Sequence, residues 1–500
     1  MTTPAPGLDA TGKPLGRVLA RGIMWVGIFR WSAQVISWAC TLIVIRLLLP
    51  ADYGIVGMTT YFIGLAGVFS EFGIGSAVIV SPSLSTTQIR QLHAFSILLG
   101  ASGSALSLAA ALPVSRYFGE PALVTVLPVL GLMFLIDGFR TVPLALMSKA
   151  LDYRRAASSD FVRAIASAAV VLTLAVLGAG YWALVGGILA GSLAATLWVT
   201  VQRPTGFAWP RLSGLAEPIR YCRHLLVGRL AWQGYQNADF VVAGRMFGVA
   251  VLGTYNVAWT IASLPGEKLT TVVIAAVSPF FASLRDRPEA LRHYMLRILS
   301  LLSLVLFPPL FGFLLVADLA IPVVLGSQWA GAISPARALV FYAVLQSVSV
   351  TLVTFLSSTG KTGIAMRTAL LNLLILPVAF VIGGRLGGIT GIALAWAAAY
   401  PFLVAMPLRA TLQTLNIRLR TFLATFRHAL LTVVVMSVCV LGFRRLVQGS
   451  FPPQAELWLS VIVGAVAAVL TVVLAARDQL DAVRAMLRRE APPGISGVTA

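Results

Sequence analysis

The sequence predicts an all-α polytopic membrane protein of about 14 transmembrane helices, arranged as two parallel six-helix lobes around a central cavity plus two C-terminal helices. Three observations lead there. Of 500 residues, 58% are hydrophobic and 11% charged, with a mean hydropathy of +0.91, whereas a soluble domain carries about 25% charged residues. Fourteen apolar runs near the length of about 20 residues needed to cross a bilayer core are separated by prolines, glycines or charge clusters. An offset of 199 residues superposes Arg30 on Arg229, Gln34 on Gln233, Ala39 on Ala238, Arg46 on Arg245 and Gly54 on Gly253.

The predicted spans lie at 22–48, 53–79, 92–114, 122–147, 160–179, 181–201, 224–246, 251–277, 297–317, 333–357, 366–384, 388–408, 428–446 and 456–475. They divide the chain into a cytoplasmic segment (1–21), a first lobe (22–214, spans one to six), a second lobe (215–420, spans seven to twelve), two extra spans (421–476) and a cytoplasmic tail (477–500). The first run is far longer than the ~7–15-residue core of a signal peptide, so no cleavage is expected. With both termini inside, 26 of the 37 basic residues fall on the cytoplasmic side, among them Lys149, Arg154, Arg155, Arg163 and Arg203. Seven fall outside, and Arg30, Arg140, Arg229 and Lys268 lie within spans. That asymmetry is the positive-inside signature. It also accounts for the net charge of +20 without a nucleic-acid partner. Six spans separate the repeat-matched helices, so both halves enter the membrane in the same direction, which makes the repeat parallel.

Polar side chains inside spans carry the functional signal. Arg30, Gln34, Ser37 and Thr41 recur at i, i+4, i+7 and i+11, one face of a helix, and Arg229, Gln233 and Gln236 repeat the device in span seven. A polar stripe facing lipid leaves donors unsatisfied, so both stripes should face protein or a wet cavity, either as interhelical glue or as a substrate surface. Asp137 and Arg140 stand three apart and are expected to pair. Glu267 and Lys268 are adjacent and point in different directions. Glu71 sits in Ser70-Glu71-Phe72-Gly73-Ile74-Gly75-Ser76, where the glycines are expected to serve close helix packing. The same packing role is expected for the pairs Gly187/Gly191 and Gly384/Gly388. An Arg fork matches phosphate oxygens, so Arg30 and Arg229, placed by the repeat on opposite lobes, suit a pyrophosphate-bearing lipid.

Catalytic motifs are absent from the sequence: there is no phosphate-binding GxxxxGK[ST] loop, no HExxH and no GxSxG, and the four histidines (His93, His224, His293, His428) are expected in loops or interfaces. Cys40, Cys222 and Cys439 are isolated, with no metal-binding spacing, and are expected to be packing residues. No metal, no cofactor and no catalytic residue is expected.

The segments Arg46 to Gly54 (RLLLPADYG), Phe69 to Ala77 (FSEFGIGSA), Gly253 to Pro265 (GTYNVAWTIASLP), Ser278 to Leu284 (SPFFASL) and Gly326 to Trp329 (GSQW) follow one another over most of the first 410 residues. In this combination the chain resembles the Wzx-type polysaccharide flippases of the multidrug/oligosaccharidyl-lipid/polysaccharide exporter superfamily. The resemblance implies alternating access by two lobes in the bacterial inner membrane, moving undecaprenyl-pyrophosphate-linked oligosaccharides for exopolysaccharide, capsule or O-antigen synthesis. It implies that membrane lipids and the polysaccharide polymerase and export machinery are partners. Under it, Arg30, Gln34, Arg140, Arg229, Gln233 and Lys268 are candidates for the substrate cavity, and Glu71, Asp137 and Asp239 for a coupling H⁺ or Na⁺. The alternatives are a cation-coupled multidrug exporter of the same superfamily, a flippase for the peptidoglycan precursor lipid II, and a membrane polymerase or glycosyltransferase. The last lacks the large polar loop such enzymes need.

Overall fold

The computed structural model describes residues 15–71, 73–81, 84–210, 230, 232–285, 287–447 and 450–475. Side chains at 15–28, 30, 31, 71, 153, 264–276, 278–280 and 282–283 lie outside this description. The described residues are almost wholly helical: α1 (Leu15–Leu47), α2 (Pro50–Glu71), α3 (Ile74–Val80), α4 (Thr86–Phe118), α5 (Leu123–Lys149), α6 (Tyr153–Val176), α7 (Tyr181–Gln202), α8 (Ala238–Ser283), α9 (Pro288–Ala320), α10 (Ile333–Ser358), α11 (Thr362–Leu415), the short α12 (Leu419–Ala424), α13 (Arg427–Val447) and α14 (Pro453–Ala475).

Two of these are too long for one crossing. At 1.5 Å per residue, the 46 residues of α8 and 54 of α11 would run about 70 and 80 Å, against a hydrocarbon core of about 30 Å. Each instead doubles back at glycine. Gly248 (φ 79°) and Gly388 (φ 60°) occupy the left-handed region that other residues avoid. Across the first reversal, the Tyr255 hydroxyl donates to Asp239 Oδ2 at 2.7 Å, and across the second the Phe380 and Trp396 rings lie 4.8 Å apart. Both pairs are sixteen residues apart and would be about 24 Å distant on an unbroken helix. Gly388 is therefore a turn residue, contrary to the packing role read from the Gly384/Gly388 spacing. The close contact belongs to Gly383 and Gly391, where a Cβ on either would strike the other's carbonyl oxygen.

Eleven described helices are long and apolar enough to cross a membrane. Two of them reverse, and the apolar stretch Ser32–Leu47 adds another crossing, which gives the fourteen crossings read from the sequence. The second crossing is broken: α2 ends at Glu71 and α3 restarts after Gly73 (φ 74°), so Gly73 interrupts the helix instead of serving only to pack it.

Contacts divide the chain into two compact units, Met1–Asn256 and Val257–Ala500. In the first, α4 and α5 approach through small residues. Ser96 Oγ donates to the Gly138 carbonyl at 2.8 Å and Ser104 Oγ to the Gly131 carbonyl at 2.7 Å, while a Cβ on Gly100 would strike the Phe134 carbonyl. Such bare surfaces bring backbones together where lipid offers no hydrophobic drive. Gly187 and Gly191 do the same for α7 against α6, as their spacing predicts.

In the second unit the extra helices α13 and α14 are tied to α9 and α10 by ions. Asp318 receives Arg337 Nη2 (2.6 Å) on Oδ1 and Arg444 Nη2 (2.6 Å) on Oδ2. Arg444 also reaches Glu456 Oε1, in the first turn of α14, at 3.2 Å and donates to the Leu315 carbonyl at 2.7 Å. We expect Asp318→Asn to cost about 1–3 kcal/mol, because it strands two arginines at once. Arg337→Gln should cost less, since Arg444 keeps both carboxylates. Thermal unfolding in detergent of the two variants checks the order.

Candidate functional site

Among the described residues, a cluster of charges inside the membrane-spanning part of the first unit joins α5 to α6. Arg163 Nη2 donates to Asp137 Oδ1 at 2.7 Å, Arg140 Nε lies 3.5 Å from the same oxygen, and Arg140 Nη1 reaches Ser159 Oγ at 3.4 Å. The expected Asp137–Arg140 pair is present, but Asp137's nearer partner is Arg163, which the loop assignment places among the cytoplasmic arginines. The reason is helix length. α6 begins at Tyr153, capped by Asp152, whose Oδ1 accepts the Arg155 amide at 3.3 Å. Arg163 therefore sits about 15 Å along the axis, close to half the depth of a hydrocarbon core. Asp152 before an apolar run was the available signal.

Beside this cluster is a cavity of about 510 Å³. Asp160 and Arg163 of α6 line it, with Ser37, Cys40 and Thr41 from α1, Tyr53 and Thr60 from α2, and Asn256 from α8. Ser37 and Thr41 belong to the polar stripe read from the sequence, so that half of the stripe faces protein and a cavity. Arg163 Nε is buried without a hydrogen-bond partner. Guanidinium, carboxylate, hydroxyl and amide groups around one space can hydrogen-bond sugar hydroxyls or phosphate oxygens. Cys40 also packs against Val44, Leu48, Ala168 and Val171, the packing role expected of it.

Of the remaining sequence candidates, several fall outside the described residues. Arg30 lies in α1, Glu71 ends α2, and Glu267 and Lys268 lie in α8, with all four side chains outside the described residues; Cys222, His224 and Arg229 are outside them altogether. Gln34 is half-buried. Gln233 is buried, its amide packed on Gly64 of α2 so tightly that a Cβ there would collide with it. Asp239 is fully buried, accepting from Tyr255 on one oxygen and from the Phe240 amide at 3.0 Å on the other. Sequence reasoning missed Arg163, Asp160 and Tyr255. His93, expected in a loop or interface, is buried in α4. Among the described residues no three His, Cys, Asp or Glu side chains cluster as a metal site.

The 199-residue repeat has a physical counterpart. A Cβ on Gly54 would strike the Val249 carbonyl, and a Cβ on Gly253 the Pro50 carbonyl. Position 50 maps to 249 and 54 to 253 by the same offset, so the two contacts are reciprocal, as a local two-fold axis requires. Asn256 Nδ2 donates to the Tyr53 carbonyl at 3.1 Å beside them.

In the second unit, α9, α13 and α14 enclose an apolar groove of about 500 Å³ lined by Pro308, Pro309, Phe313, Met436, Trp458 and Gly464, among others.

Fourteen crossings, a duplicated half and charge held at mid-depth define a polytopic transporter fold. Among solved structures, the lipid II flippase MurJ in an inward closed conformation superposes with a TM-score of 0.73 at 14% identity, covering 91% of this chain and 100% of that one. An inward-facing multidrug resistance MATE family transporter of the MOP superfamily gives 0.63 at 14%, covering 78% and 98%. The family described as "Polysaccharide biosynthesis protein" matches residues 43–334, more than half of the chain, and the chain belongs to it. Similar curated proteins are the lipopolysaccharide biosynthesis protein WzxC of Escherichia coli K12 (25% identical, covering 69% of this chain and 70% of that one) and the teichuronic acid biosynthesis protein TuaB of Bacillus subtilis 168 (23%, covering 80% and 83%).

The charge cluster gives a direct expectation. Asp137→Asn alone leaves Arg140 and Arg163 facing each other and should cost about 3 kcal/mol, whereas Asp137→Asn combined with Arg163→Gln should recover part of the loss. Thermal unfolding of the two variants decides; equal or additive losses would contradict the pairing.

Proposed function

We propose that this chain is a flippase that carries undecaprenyl-pyrophosphate-linked oligosaccharide repeat units from the cytoplasmic to the periplasmic leaflet of the bacterial inner membrane, by alternating access, for exopolysaccharide, capsule or O-antigen synthesis. The observation that carries the reading is a cavity lined by charged and hydroxyl groups, within the membrane-spanning helices of a polysaccharide biosynthesis family member. Hydrogen-bonding groups at that depth are costly unless a polar cargo or a partner uses them.

In this reading Arg30 and Arg229 hold the pyrophosphate, with Arg140 and Lys268 adding positive charge and Gln34 and Gln233 meeting sugar hydroxyls. The termini are cytoplasmic, supported by the distribution of basic residues. A coupling H⁺ or Na⁺ is assigned to Glu71, Asp137 or Asp239. The two arginines on Asp137 favour a structural role for that residue, which leaves Glu71 and Asp239 as the better candidates. Polymerase and export proteins are the proposed downstream partners.

Arg30→Gln with Arg229→Gln should abolish polymer export at normal membrane insertion; wild-type export would remove the pyrophosphate assignment. Raised drug sensitivity on deletion, with polymer output unchanged, would favour the multidrug reading. Gly253→Ala forces the Pro50 contact apart and should lower export at least several-fold while the protein still inserts, because the repeat-related contact can no longer close. Polymer yield normalised to membrane-inserted protein measures both.

A further inference from the structure

The cavity beside Arg163 has two chemically different strips in its wall. Along α6, Asp160, Arg163 and Ser167 follow one another at i, i+3 and i+7, and next to them Ala164, Ala168 and Val171 recur at i, i+4 and i+7. α1 repeats the division, with Ser37 and Thr41 on a polar strip and Cys40 and Val44 on an apolar one. The apolar strips of the two helices meet in one cluster, Cys40 and Val44 with Ala168 and Val171, so they lie on the same side of the space. A ligand that fits needs an apolar face and a hydrogen-bonding edge.

The polar strip is selective about the direction of a hydrogen bond. Thr41 Oγ1 donates to the Ser37 carbonyl at 2.8 Å and Thr60 Oγ1 to the Val56 carbonyl at 3.1 Å, and all four residues line the cavity. With its proton committed to its own helix, each hydroxyl has only lone pairs to offer a ligand. Asp160 adds a carboxylate, which only accepts when ionised. Arg163, the one cation among the described residues of the wall, is already paired with Asp137 at 2.7 Å. An ionised diphosphate carries acceptors alone and finds acceptors here, whereas a sugar hydroxyl donates as well as accepts. A pyranose also presents C–H groups on its ring face and hydroxyls around its edge, the same division that the wall shows.

We propose that this cavity is a saccharide subsite, holding one sugar ring of the cargo with its face on Ala164, Ala168 and Val171 and its hydroxyl edge on Thr41 and Thr60, while the pyrophosphate is bound elsewhere. Its volume of about 510 Å³ falls within the ~300–1,000 Å³ range of ligand pockets. The inference rests on the flippase reading for the identity of the cargo, and deepens it by naming the part of the cargo that this site recognises.

The test compares two lipids on the purified full chain in nanodiscs, undecaprenyl pyrophosphate and undecaprenyl pyrophosphate bearing a hexose-containing oligosaccharide, with Kd read by microscale thermophoresis. The unsubstituted protein should hold the sugar-bearing lipid more tightly. Thr41→Val with Thr60→Val keeps the side-chain shape and removes both acceptors, and the Ser37 and Val56 carbonyls keep their helical amide partners. It should weaken binding of the sugar-bearing lipid about 30-fold, roughly fivefold for each lost hydrogen bond, and leave the bare lipid unchanged. Ser102→Ala with Thr200→Val removes two hydroxyls that are also bonded to their own helices, α4 and α7, away from the cavity, and should leave both lipids unchanged. Equal weakening of both lipids by the cavity variant, weakening of neither, or the same loss in the control pair would overturn the subsite and leave the flippase reading in place. Unsubstituted protein that binds neither lipid would remove the flippase reading and the subsite with it.

Discussion

A charge in the hydrocarbon core must be met by an opposite charge, by hydrogen-bonding groups or by water, because lipid supplies none of these. In the first unit Asp137 draws Arg140 and Arg163 to one carboxylate and so fixes α5 against α6. In the second, Asp318 draws Arg337 and Arg444 and so fixes α13 and α14 on the rest. The first of these clusters borders a cavity with room for polar cargo; the second is a fastening. Position explains the difference: Arg163 of the Asp137 cluster lines the same space as Ser37 and Thr41 of α1 and Thr60 of α2.

Backbone reversals impose the second constraint. Within a membrane a helix can turn only where its freed amides and carbonyls find partners, so turns concentrate at the ends of crossings. Gly248 and Gly388 make such turns within stretches that otherwise read as continuous helices, and each reversal is secured by side chains sixteen residues apart. The α8 reversal buries Asp239 against Tyr255, a pairing that depends on the turn.

Much of this was legible in the sequence. The crossings follow from apolar runs and the repeat from five matched residues, two of which, Gly54 and Gly253, prove to mark reciprocal contacts. The Asp137–Arg140 pair follows from spacing alone. Arg163 was not legible from hydropathy, because a charged residue at the edge of an apolar run looks like a flank until the helix start at Asp152 and Tyr153 is recognised. Tyr255 was not legible as Asp239's partner, since their meeting depends on the reversal at Gly248. Gly73 and Gly388 illustrate a further limit: a glycine that packs a helix and one that ends it look alike in composition, and only φ separates them.

Movement of a lipid-linked oligosaccharide from one leaflet to the other is measured most directly with the purified chain in proteoliposomes containing an undecaprenyl-pyrophosphate oligosaccharide. A glycosidase added outside reports which leaflet holds the sugar. A flippase predicts that sugar enclosed in the inner leaflet becomes fully cleavable with time in vesicles holding the protein, and stays about half protected in vesicles without it. Equal protection in both, with the protein shown to be folded and inserted, would contradict it.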